Sequence, residues 1–395
     1  MHVLLIPSWY SHLRSPGGGS FFRDQSQALA AAGHKVGILY PKIWGVRDYR
    51  AGPLPKMNDI RVEDEGPVRV WRVDALHRLP RMPYRDSWSF AGAGRRLFAA
   101  YAAAEGKPDV LHAHTALYGG ALGAQLSART GIPLVLTEHS TDFAQGKHRW
   151  WQKRLIRNVL ERAAARIAVS PQLHDILIDQ YGAAAQPLTV VPNILTPEFE
   201  REQPEVRTDG GPFVFLCVAR YSAEKNQEGL IRAFAQAFPN DTRTELHFIG
   251  SGDGGPLERL AESLGMGARV KVLGVRPPDD VRRRMAAAGA VVLASFVETF
   301  GVVVIEALSQ GTPVVATVSG GPEGILTPDS GVLVPPGDGE ALAGALRDIH
   351  VRANEFDRAR LRRDCLARYG EKAVVGELET IYAAALGGTN ETGIT

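Results

Sequence analysis

The sequence predicts an α/β protein built from two domains, each a doubly wound parallel sheet. Three observations lead to this prediction: the chain length, the alternation of short apolar runs with helical segments, and a break in that alternation near the middle. The chain has 395 residues, the size of two domains rather than one. Hydrophobic residues make up 45% and charged residues 22%, a balance typical of a packed globular protein.

Short runs rich in leucine and β-branched residues predict the strands of the first half. They start with HVLLIP at residues 2–7 and end with LTVVPN at residues 188–193. Because these runs are apolar almost throughout, we expect burial on both faces, as in a parallel sheet covered by helices. The stretch from Lys42 to about Ser89 interrupts the pattern. Its many Pro and Arg residues and its one alternating run, VRVWRV, predict an insertion with a strand or two.

Residues 196–212 are charged, rich in Pro and Gly and without hydrophobic periodicity, which predicts a linker. The alternation restarts with FVFLCVAR at residue 213. We therefore expect a Rossmann-like domain over residues 1–195 and a second over residues 213–370. In residues 371–395 we expect a helix that packs back on the first domain, followed by a flexible tail. Two such sheets facing each other would surround one cleft with the carboxyl ends of their strands, where parallel sheets bind ligands.

Charge and cysteine content narrow the class of protein. Lys and Arg number 45 against 43 Asp and Glu, so the net charge of +2 is too small for a general nucleic-acid-binding surface. No run approaches eighteen apolar residues, so no membrane-spanning helix is predicted. Cys217 and Cys365 lie far apart and outside any CxxC pair, which argues against zinc and favours a reducing compartment, the cytoplasm.

The strongest motif is SFVETFGVVVIEALSQGTPVVAT at residues 295–317, which predicts a strand end, a turn and a helix from Val302. The N–H groups of Phe300–Val303 would lie at a helix N-terminus, where they suit a phosphate. Glu298 and Glu306, eight positions apart, would then lie near a sugar and near a ribose. Taken alone, two such acids are more readily explained as a carboxylate that stabilises the helix dipole and a solvated helical glutamate.

These residues resemble the E-x7-E motif of the retaining glycosyltransferases of family 4, which have the GT-B fold of two facing Rossmann domains. The flanking ETFG and EAL-x-x-G-x-P-V-V-A match as well, and the resemblance covers nearly the whole chain. It implies that Glu298 contacts the donor hexose and Glu306 the ribose. It also implies transfer of a hexose from a nucleoside diphosphate sugar, most readily a UDP-sugar, to a hydroxyl of a saccharide, lipid-linked or small-molecule acceptor.

Arg220 and Lys225 stand five positions apart in VARYSAEKN, after the first strand of the second domain. Two cations at this place suit a diphosphate that gains charge as it leaves. The resemblance implies that they form the R-x4-K diphosphate clamp of the family, and solvated strand-end charges are the alternative.

The resemblance implies further contacts to the nucleotide, some of them made through main-chain groups. They are Phe300, Gly301 and Val302 at the helix start, Gly250 and Gly252 in the turn FIGSGDGGP, and Val275 and Arg276 beside the nucleobase. Together with Gly255 the turn also spells G-x-G-x-x-G, so an NAD-dependent dehydrogenase stays open as an alternative. A sugar-nucleotide epimerase of the same architecture and a non-catalytic binder are the others.

In the first domain, the glycines of SPGGGSFFRDQ, including Gly18 and Gly19, would let a ligand approach the backbone, as does the glycine loop of similar enzymes. A plain surface loop is the alternative. His139 ends the strand LVLTEH, where a histidine of similar enzymes contacts the transferred sugar. His112 and His114 lack a third metal ligand and are expected to be acceptor-side or core residues. No D-x-D motif occurs, so neither a metal nor another cofactor is expected, the sugar nucleotide being a co-substrate.

Residues 147–166 hold seven Lys or Arg and one Glu, and they place Trp151, Leu155 and Val159 on one helical stripe. A basic amphipathic helix with tryptophans is typical of peripheral contact with an anionic membrane, here the inner face of the cell membrane. An ordinary crossover helix that buries the stripe against the sheet is the alternative.

Overall fold

The computed structural model describes residues 1–12, 19–45, 54–76, 84–204 and 210–387. The chain forms two compact units. The first comprises Met1–Pro192 and the segment from Val374 onward, and the second comprises Asn193–Ala373.

The first unit contains an eight-stranded sheet. Its strands are β1 (His2–Pro7), β2 (Lys35–Trp44), β3 (Ile60–Glu65), β4 (Val68–Leu76), β5 (Val110–His114), β6 (Leu134–Glu138), β7 (Ala165–Ala168) and β8 (Thr189–Val190). They lie in the order β3-β4-β2-β1-β5-β6-β7-β8. The hairpin of β3 and β4 is antiparallel, whereas β4 pairs in parallel with β2 and so joins the predicted insertion to the main sheet.

The helices of this unit connect the strands in the expected alternation. They are α1 (Ser20–Ala31), α2 (Arg85–Glu105), a π-helical turn (Ala116–Gly120), α3 (Ala121–Thr130), α4 (Trp150–Arg162), α5 (Pro171–Tyr181) and a 3-10 turn (Gly182–Ala185). The central strands are buried across both faces, as the apolar runs predict: each residue of Val3–Ile6 is fully inaccessible. The edge strand β3 is exposed along most of its length.

The second unit contains a six-stranded parallel sheet in the order β11-β10-β9-β12-β13-β14. Its strands are β9 (Phe213–Val218), β10 (Thr244–Ile249), β11 (Val270–Val272), β12 (Ala290–Leu293), β13 (Val314–Thr317) and β14 (Gly331–Val334). Its helices are α6 (Pro197–Arg201), α7 (Gln227–Ala237), α8 (Gly255–Ser263), α9 (Pro278–Ala287), α10 (Val302–Ser309), α11 (Gly339–Arg352) and α12 (Arg358–Tyr369), with 3-10 turns at Ala223–Lys225 and Pro322–Gly324.

The final helix, α13 (Glu371–Gly387), belongs to the first unit from Val374 onward. The hydroxyl of Tyr382 lies 2.7 Å from Nδ1 of His112, and both side chains are buried. Glu379 lies 2.8 Å from Nε2 of His34. These contacts attach the helix to the strands and loops of the first unit. Among the described helices, none is long and apolar enough to cross a bilayer.

The start of the predicted linker differs from the expectation. Residues 197–201 form the short helix α6, and the second unit begins at Asn193 rather than at Phe213. Phe199 is only 2% exposed, and its carbonyl oxygen accepts hydrogen bonds from Gln310 and Arg362. The buried side chain of Phe199 therefore packs this segment against the second unit, although the charged residues around it suggest a solvated linker.

In both sheets the strand order reverses direction at one point. The earlier strands lie on one side of the first strand, and the later strands lie on its other side. This point lies between β1 and β5 in the first unit and between β9 and β12 in the second. In open parallel sheets the crevice beyond the carboxyl ends of the strands at such a point is the usual ligand site. Arg220 and Lys225 follow β9, and Glu298 follows β12.

Candidate active site

Lys225 and Glu298 form the central contact of the site in the second unit. The Nζ atom of Lys225 lies 2.5 Å from Oε1 of Glu298, and Ser295 donates a hydrogen bond to the same oxygen at 2.7 Å. The side chains of Lys225 and Glu298 are 23% and 12% exposed, so the ion pair is shielded but reachable. The structure thus brings together two residues that the sequence analysis assigned to the hexose and to the diphosphate of one ligand.

Backbone hydrogen bonds hold the loops around this ion pair. The N–H of Phe296 donates to the carbonyl of Glu224 at 2.8 Å, and the N–H of Glu298 donates to that of Ser319 at 2.8 Å. The loops after β9, β12 and β13 are therefore tied to one another, which fixes the charged groups at the end of the sheet.

The helix α10 starts beside the ion pair. Gly301 precedes its first residue with a φ of +92°, a conformation that favours glycine. Glycine has no side chain with which to cap the helix, so the N–H groups of Val302 and Val303 are directed out of the helix end. Gly321 packs so closely on the backbone of Phe300 that a Cβ atom there would overlap it. The helix end can therefore present amide donors to an anion.

Glu306 lies on the second turn of α10 and is half-buried. Its Oε1 atom accepts a hydrogen bond from the hydroxyl of Thr196 at 3.1 Å. Thr196 is the residue before α6, inside the segment predicted as a linker, so the sequence offered no sign of this contact.

Arg220 is exposed directly after β9, and its carbonyl oxygen accepts a hydrogen bond from the side chain of Gln227 at 2.9 Å. The glycine turn after β10 packs against the same loop. A Cβ atom on Gly250 would overlap the carbonyl oxygen of Ala219, and Gly252 has a φ of +125°. Packing thus requires glycine at position 250, and the backbone conformation favours glycine at position 252.

Val275 and Arg276 lie in the loop after β11, next to the glycine turn. The N–H of Gly250 donates to the carbonyl of Gly274 at 3.0 Å, which joins the two loops. Val275 is 70% exposed, and Arg276 lies 3.9 Å from Asp280. Because Val275 is apolar and exposed, a flat ring can pack on its side chain.

In the first unit, His139 lies among histidine and phenylalanine rings. Its Nε2 atom is 3.0 Å from Nδ1 of His114, and its ring centroid lies 5.0 Å and 5.4 Å from those of Phe21 and Phe22. His139 is 7% exposed. Burial, together with the two neighbouring histidines, holds the pKa of His114 well below its usual value, so that ring is neutral.

Glu138 is a buried carboxylate that the sequence analysis did not single out. Its two oxygens accept hydrogen bonds from the N–H groups of Ala116, His139 and Ser140 at 2.8 to 2.9 Å. Burial raises its pKa to about 7, against the opposing effect of these three donors. An acidic residue at the end of an otherwise apolar strand, LVLTE, was the available signal. Glu138 ties together the loops after β5 and β6 and so positions His139.

The glycine loop of the first unit is described only in part. Gly18 lies outside the described residues. Gly19 precedes α1 with a φ of +72°, and a Cβ atom there would come within 2.8 Å of the Phe22 ring. The requirement for glycine at position 19 therefore comes from local packing as well as from any ligand.

His112 is a core residue. Its Nε2 atom lies 2.8 Å from the hydroxyl of Thr137 and its Nδ1 atom faces Tyr382, and burial lowers its pKa to about 3. Within the parts of the chain that the structure describes, no group of three or more His, Cys, Asp or Glu side chains could hold a metal ion.

The basic helix predicted in residues 147–166 is α4, and it buries its apolar stripe. Trp151 is 8% exposed and Val159 is fully inaccessible. The stripe thus packs as that of an ordinary crossover helix and is not available to insert into a membrane. Trp150, one residue earlier, is 69% exposed.

Two family models match the chain. The model described as "Glycosyltransferase Family 4" matches residues 16–199, and that described as "Glycosyl transferases group 1" matches residues 198–361. A D-inositol 3-phosphate glycosyltransferase 1 from Catenulispora acidiphila is 32% identical in an alignment that covers 72% of this chain and 74% of that protein. A D-inositol 3-phosphate glycosyltransferase from Corynebacterium diphtheriae is 30% identical in an alignment that covers 88% of this chain and 86% of that protein.

Solved structures share the fold. Sucrose-phosphate synthase from Thermosynechococcus elongatus superposes with a TM-score of 0.78 at 24% identity, covering 98% of this chain and 100% of that one. Anabaena Alr3699/HepE, in complex with UDP and glucose, superposes with a TM-score of 0.71 at 20% identity, covering 97% and 100%. The relatives favour a glycosyltransferase over the epimerase and the dehydrogenase considered above. The identities over most of both chains and the family models show that the chain belongs to glycosyltransferase family 4, and it is a hexosyltransferase with the GT-B fold.

Proposed function

We propose that this enzyme transfers a hexose from a UDP-sugar, with retention of anomeric configuration, to a hydroxyl of a saccharide, lipid-linked or small-molecule acceptor. The observation that best supports the proposal is the Lys225–Glu298 ion pair beside the start of α10. The two residues follow the carboxyl ends of neighbouring parallel strands. UDP as the nucleotide is supported by the Anabaena structures, which contain UDP, UDP with glucose, and UDP-glucose. A role in polysaccharide assembly is consistent with the transfer of a hexose to a saccharide acceptor.

In this proposal the diphosphate lies between the cations and the end of α10. Lys225 and Arg220 offset the negative charge that grows on the departing UDP, and the N–H groups of Val302 and Val303, with Phe300 and Gly301 shaping the turn, donate to phosphate oxygens. These groups are held by the backbone hydrogen bonds between the loops, so little reorganisation is needed when the bond to the sugar breaks.

Glu298 is proposed to hold the hexose. Its Oε1 atom is occupied by Lys225 and Ser295, while Oε2 accepts no hydrogen bond from the described residues. An ionised carboxylate accepts hydrogen bonds and does not donate them, so Oε2 suits a sugar hydroxyl. The role assigned to Glu298 is positioning, and the proposal includes no covalent enzyme intermediate.

Glu306 is proposed to bind the two ribose hydroxyls, since it lies one turn beyond the amides that bind the phosphate. Gly250 and Gly252 would then line the nucleotide, with Val275 and Arg276 beside the base.

In the first unit, His139 is proposed to contact the transferred sugar, and Gly18 and Gly19 to face the donor phosphate and the acceptor. Glu138 would keep His139 in place.

The proposal needs no metal ion and no other cofactor, because the sugar nucleotide is a co-substrate and side-chain cations neutralise its diphosphate. Activity is therefore expected to survive EDTA. We place the reaction in the cytoplasm, which suits the two buried free thiols of Cys217 and Cys365. Peripheral contact with the inner face of the cell membrane would need a surface other than the buried stripe of α4.

The test begins with thermal unfolding in the presence of UDP, GDP, ADP, CDP and NAD. A ligand at about a hundred times its dissociation constant stabilises the folded state by roughly 2.7 kcal/mol, which raises Tm by several degrees. UDP alone should do so, and Glu306→Ala should remove the effect while the exposed Glu262→Ala retains it. Stabilisation by NAD alone would overturn the proposal, and unchanged UDP affinity in Glu306→Ala would overturn the ribose role.

Retention is tested on the product. An α-configured UDP-hexose should yield an α-linked product, detected by the anomeric proton coupling in NMR. A β-linked product would show that the enzyme inverts.

A further inference from the structure

Three aromatic side chains form a surface cluster in the first unit, here called the aromatic patch: Tyr84, Trp88 and Trp150. Trp88 is 60% exposed and Trp150 is 69% exposed. The ring of Tyr84 lies between them, stacked on Trp88 at 6.0 Å and edge-on to Trp150 at 6.4 Å. Two indoles exposed to this degree on one patch are unusual for a surface that meets only water.

The aromatic patch is ordered by what lies beneath it. Tyr84 also contacts the buried Trp151 at 5.4 Å. Tyr84 precedes the first residue of α2, and Trp150 is the first residue of α4, so the patch is formed where two helices begin. Because both helices pack in the unit, the indoles are held in place before any partner arrives, which lowers the entropy cost of binding.

Cations continue from the aromatic patch along the exposed face of α4 and are here called the basic rim. Six exposed Lys and Arg side chains lie between residues 147 and 162, against one exposed Glu, Glu161. They are Lys147, Arg149, Lys153, Arg154, Arg157 and Arg162. Lys153 and Arg154 are three and four residues after Trp150, so they share its face of the helix. The exposed face of α4 is thus aromatic at its start and cationic along its length.

We propose that the aromatic patch and the basic rim bind an anionic membrane surface. Trp and Tyr side chains favour the boundary between headgroups and acyl chains. Each Lys or Arg near an anionic bilayer adds electrostatic attraction. The membrane-facing side of α4 is therefore opposite to the stripe of Trp151 and Val159 that the sequence indicated.

The charge of the rim favours a lipid surface over two other partners. A neutral saccharide could stack on the indoles but offers nothing to six cations. A second copy of the same patch would bring two basic rims together, and their like charges would repel. The surface lies outside the proposed donor site, so the inference goes beyond the proposed transfer reaction and does not depend on which nucleotide is bound.

The experiment measures how much full-length protein sediments with vesicles of phosphatidylcholine and phosphatidylglycerol in equal parts, at low salt. Pure phosphatidylcholine vesicles are the lipid control. We expect retention only on the anionic vesicles, with a shift of tryptophan emission to shorter wavelength. W88S/W150S should lower the partition coefficient about tenfold or more, and K153E/R154E should do the same.

A matched control reverses two exposed arginines of the second unit, R232E/R347E, with the same change in net charge. It should bind like the wild type, and all variants should keep the thermal stabilisation by UDP, which separates this inference from the proposed donor. Wild-type protein that stays unbound, or variants that bind as well as the control, would overturn the proposal. Two other results would also overturn the proposal. One is a wild-type dimer that W88S/W150S no longer forms in size-exclusion chromatography, and the other is binding of the protein to a neutral polysaccharide but not to the vesicles.

Discussion

Lys225 and Glu298 are 73 positions apart in the chain, yet their Nζ and Oε1 atoms lie 2.5 Å apart. They meet because β9 and β12 are neighbours in the sheet and both residues follow the carboxyl ends of these strands. An incoming diphosphate would share the ammonium of Lys225 with Glu298. The ion pair therefore holds the cation in place for a ligand that is more highly charged than Glu298.

Lys225→Ala should lower kcat about a hundredfold to a thousandfold, since removing one preorganised group that stabilises developing charge has that effect. The control is Lys271→Ala, which removes an ammonium paired with Glu245 on the neighbouring strand β10. Steady-state assays with a UDP-hexose should show the control within a factor of about two of the wild type. A Lys225→Ala enzyme that is nearly as fast as the wild type would contradict the role in leaving-group departure.

Gly250→Ala and Gly344→Ala should change stability in opposite directions. At Gly250 an added Cβ would overlap the backbone carbonyl of Ala219, so we expect a loss of about 1 to 3 kcal/mol. Gly344 lies inside α11 with nothing within 4 Å of the added atom, so alanine should stabilise by up to about 1 kcal/mol. Tm values from calorimetry test this, and equal shifts in one direction would show that the turn after β10 can relax.

Acid should destabilise the first unit through His112. Its pKa is about 3 in the folded state and about 6.5 when unfolded, so the unfolded chain binds the extra proton between these values. The contribution of neutral His112 to the free energy of unfolding is then fully present above about pH 6.5. It decreases as the pH falls, by about 2 kcal/mol at pH 5. Urea unfolding of the wild type and His112→Asn at pH 7.5 and pH 5 should show this extra loss in the wild type alone. Glu138 titrates in the opposite sense but is present in both proteins, so its effect cancels.

His139→Ala should lower kcat by about tenfold to a hundredfold, the effect of losing one hydrogen bond to the transferred sugar. Its affinity for UDP should stay unchanged, because His139 is proposed to contact the sugar and not the nucleotide. His174→Ala, at a partly exposed histidine of α5, is the control. Calorimetric titration with UDP and kinetic assays separate the two quantities. Weaker UDP binding with unchanged kcat would show that His139 serves the nucleotide instead.

Much of the fold could be predicted because parallel strands buried on both faces must be apolar along their length. The runs HVLLIP and FVFLCV therefore mark β1 and β9 directly. The insertion could be recognised from VRVWRV, although its parallel pairing with β2 could not, since pairing depends on the path of the connecting chain. The segment around Phe199 was misjudged because one buried aromatic residue does not produce a periodic pattern.

The sequence by itself determined two parallel sheets and the family motifs at their strand ends, because burial and helix N-terminal chemistry restrict residue types locally. Only the tertiary structure decided which side chains meet. The Lys225–Glu298 contact follows from strand order, and the bond of Thr196 to Glu306 from the packing of α6. The exposure of Trp150 beside the buried Trp151 follows from the rotation of α4, since consecutive helical residues point about 100° apart.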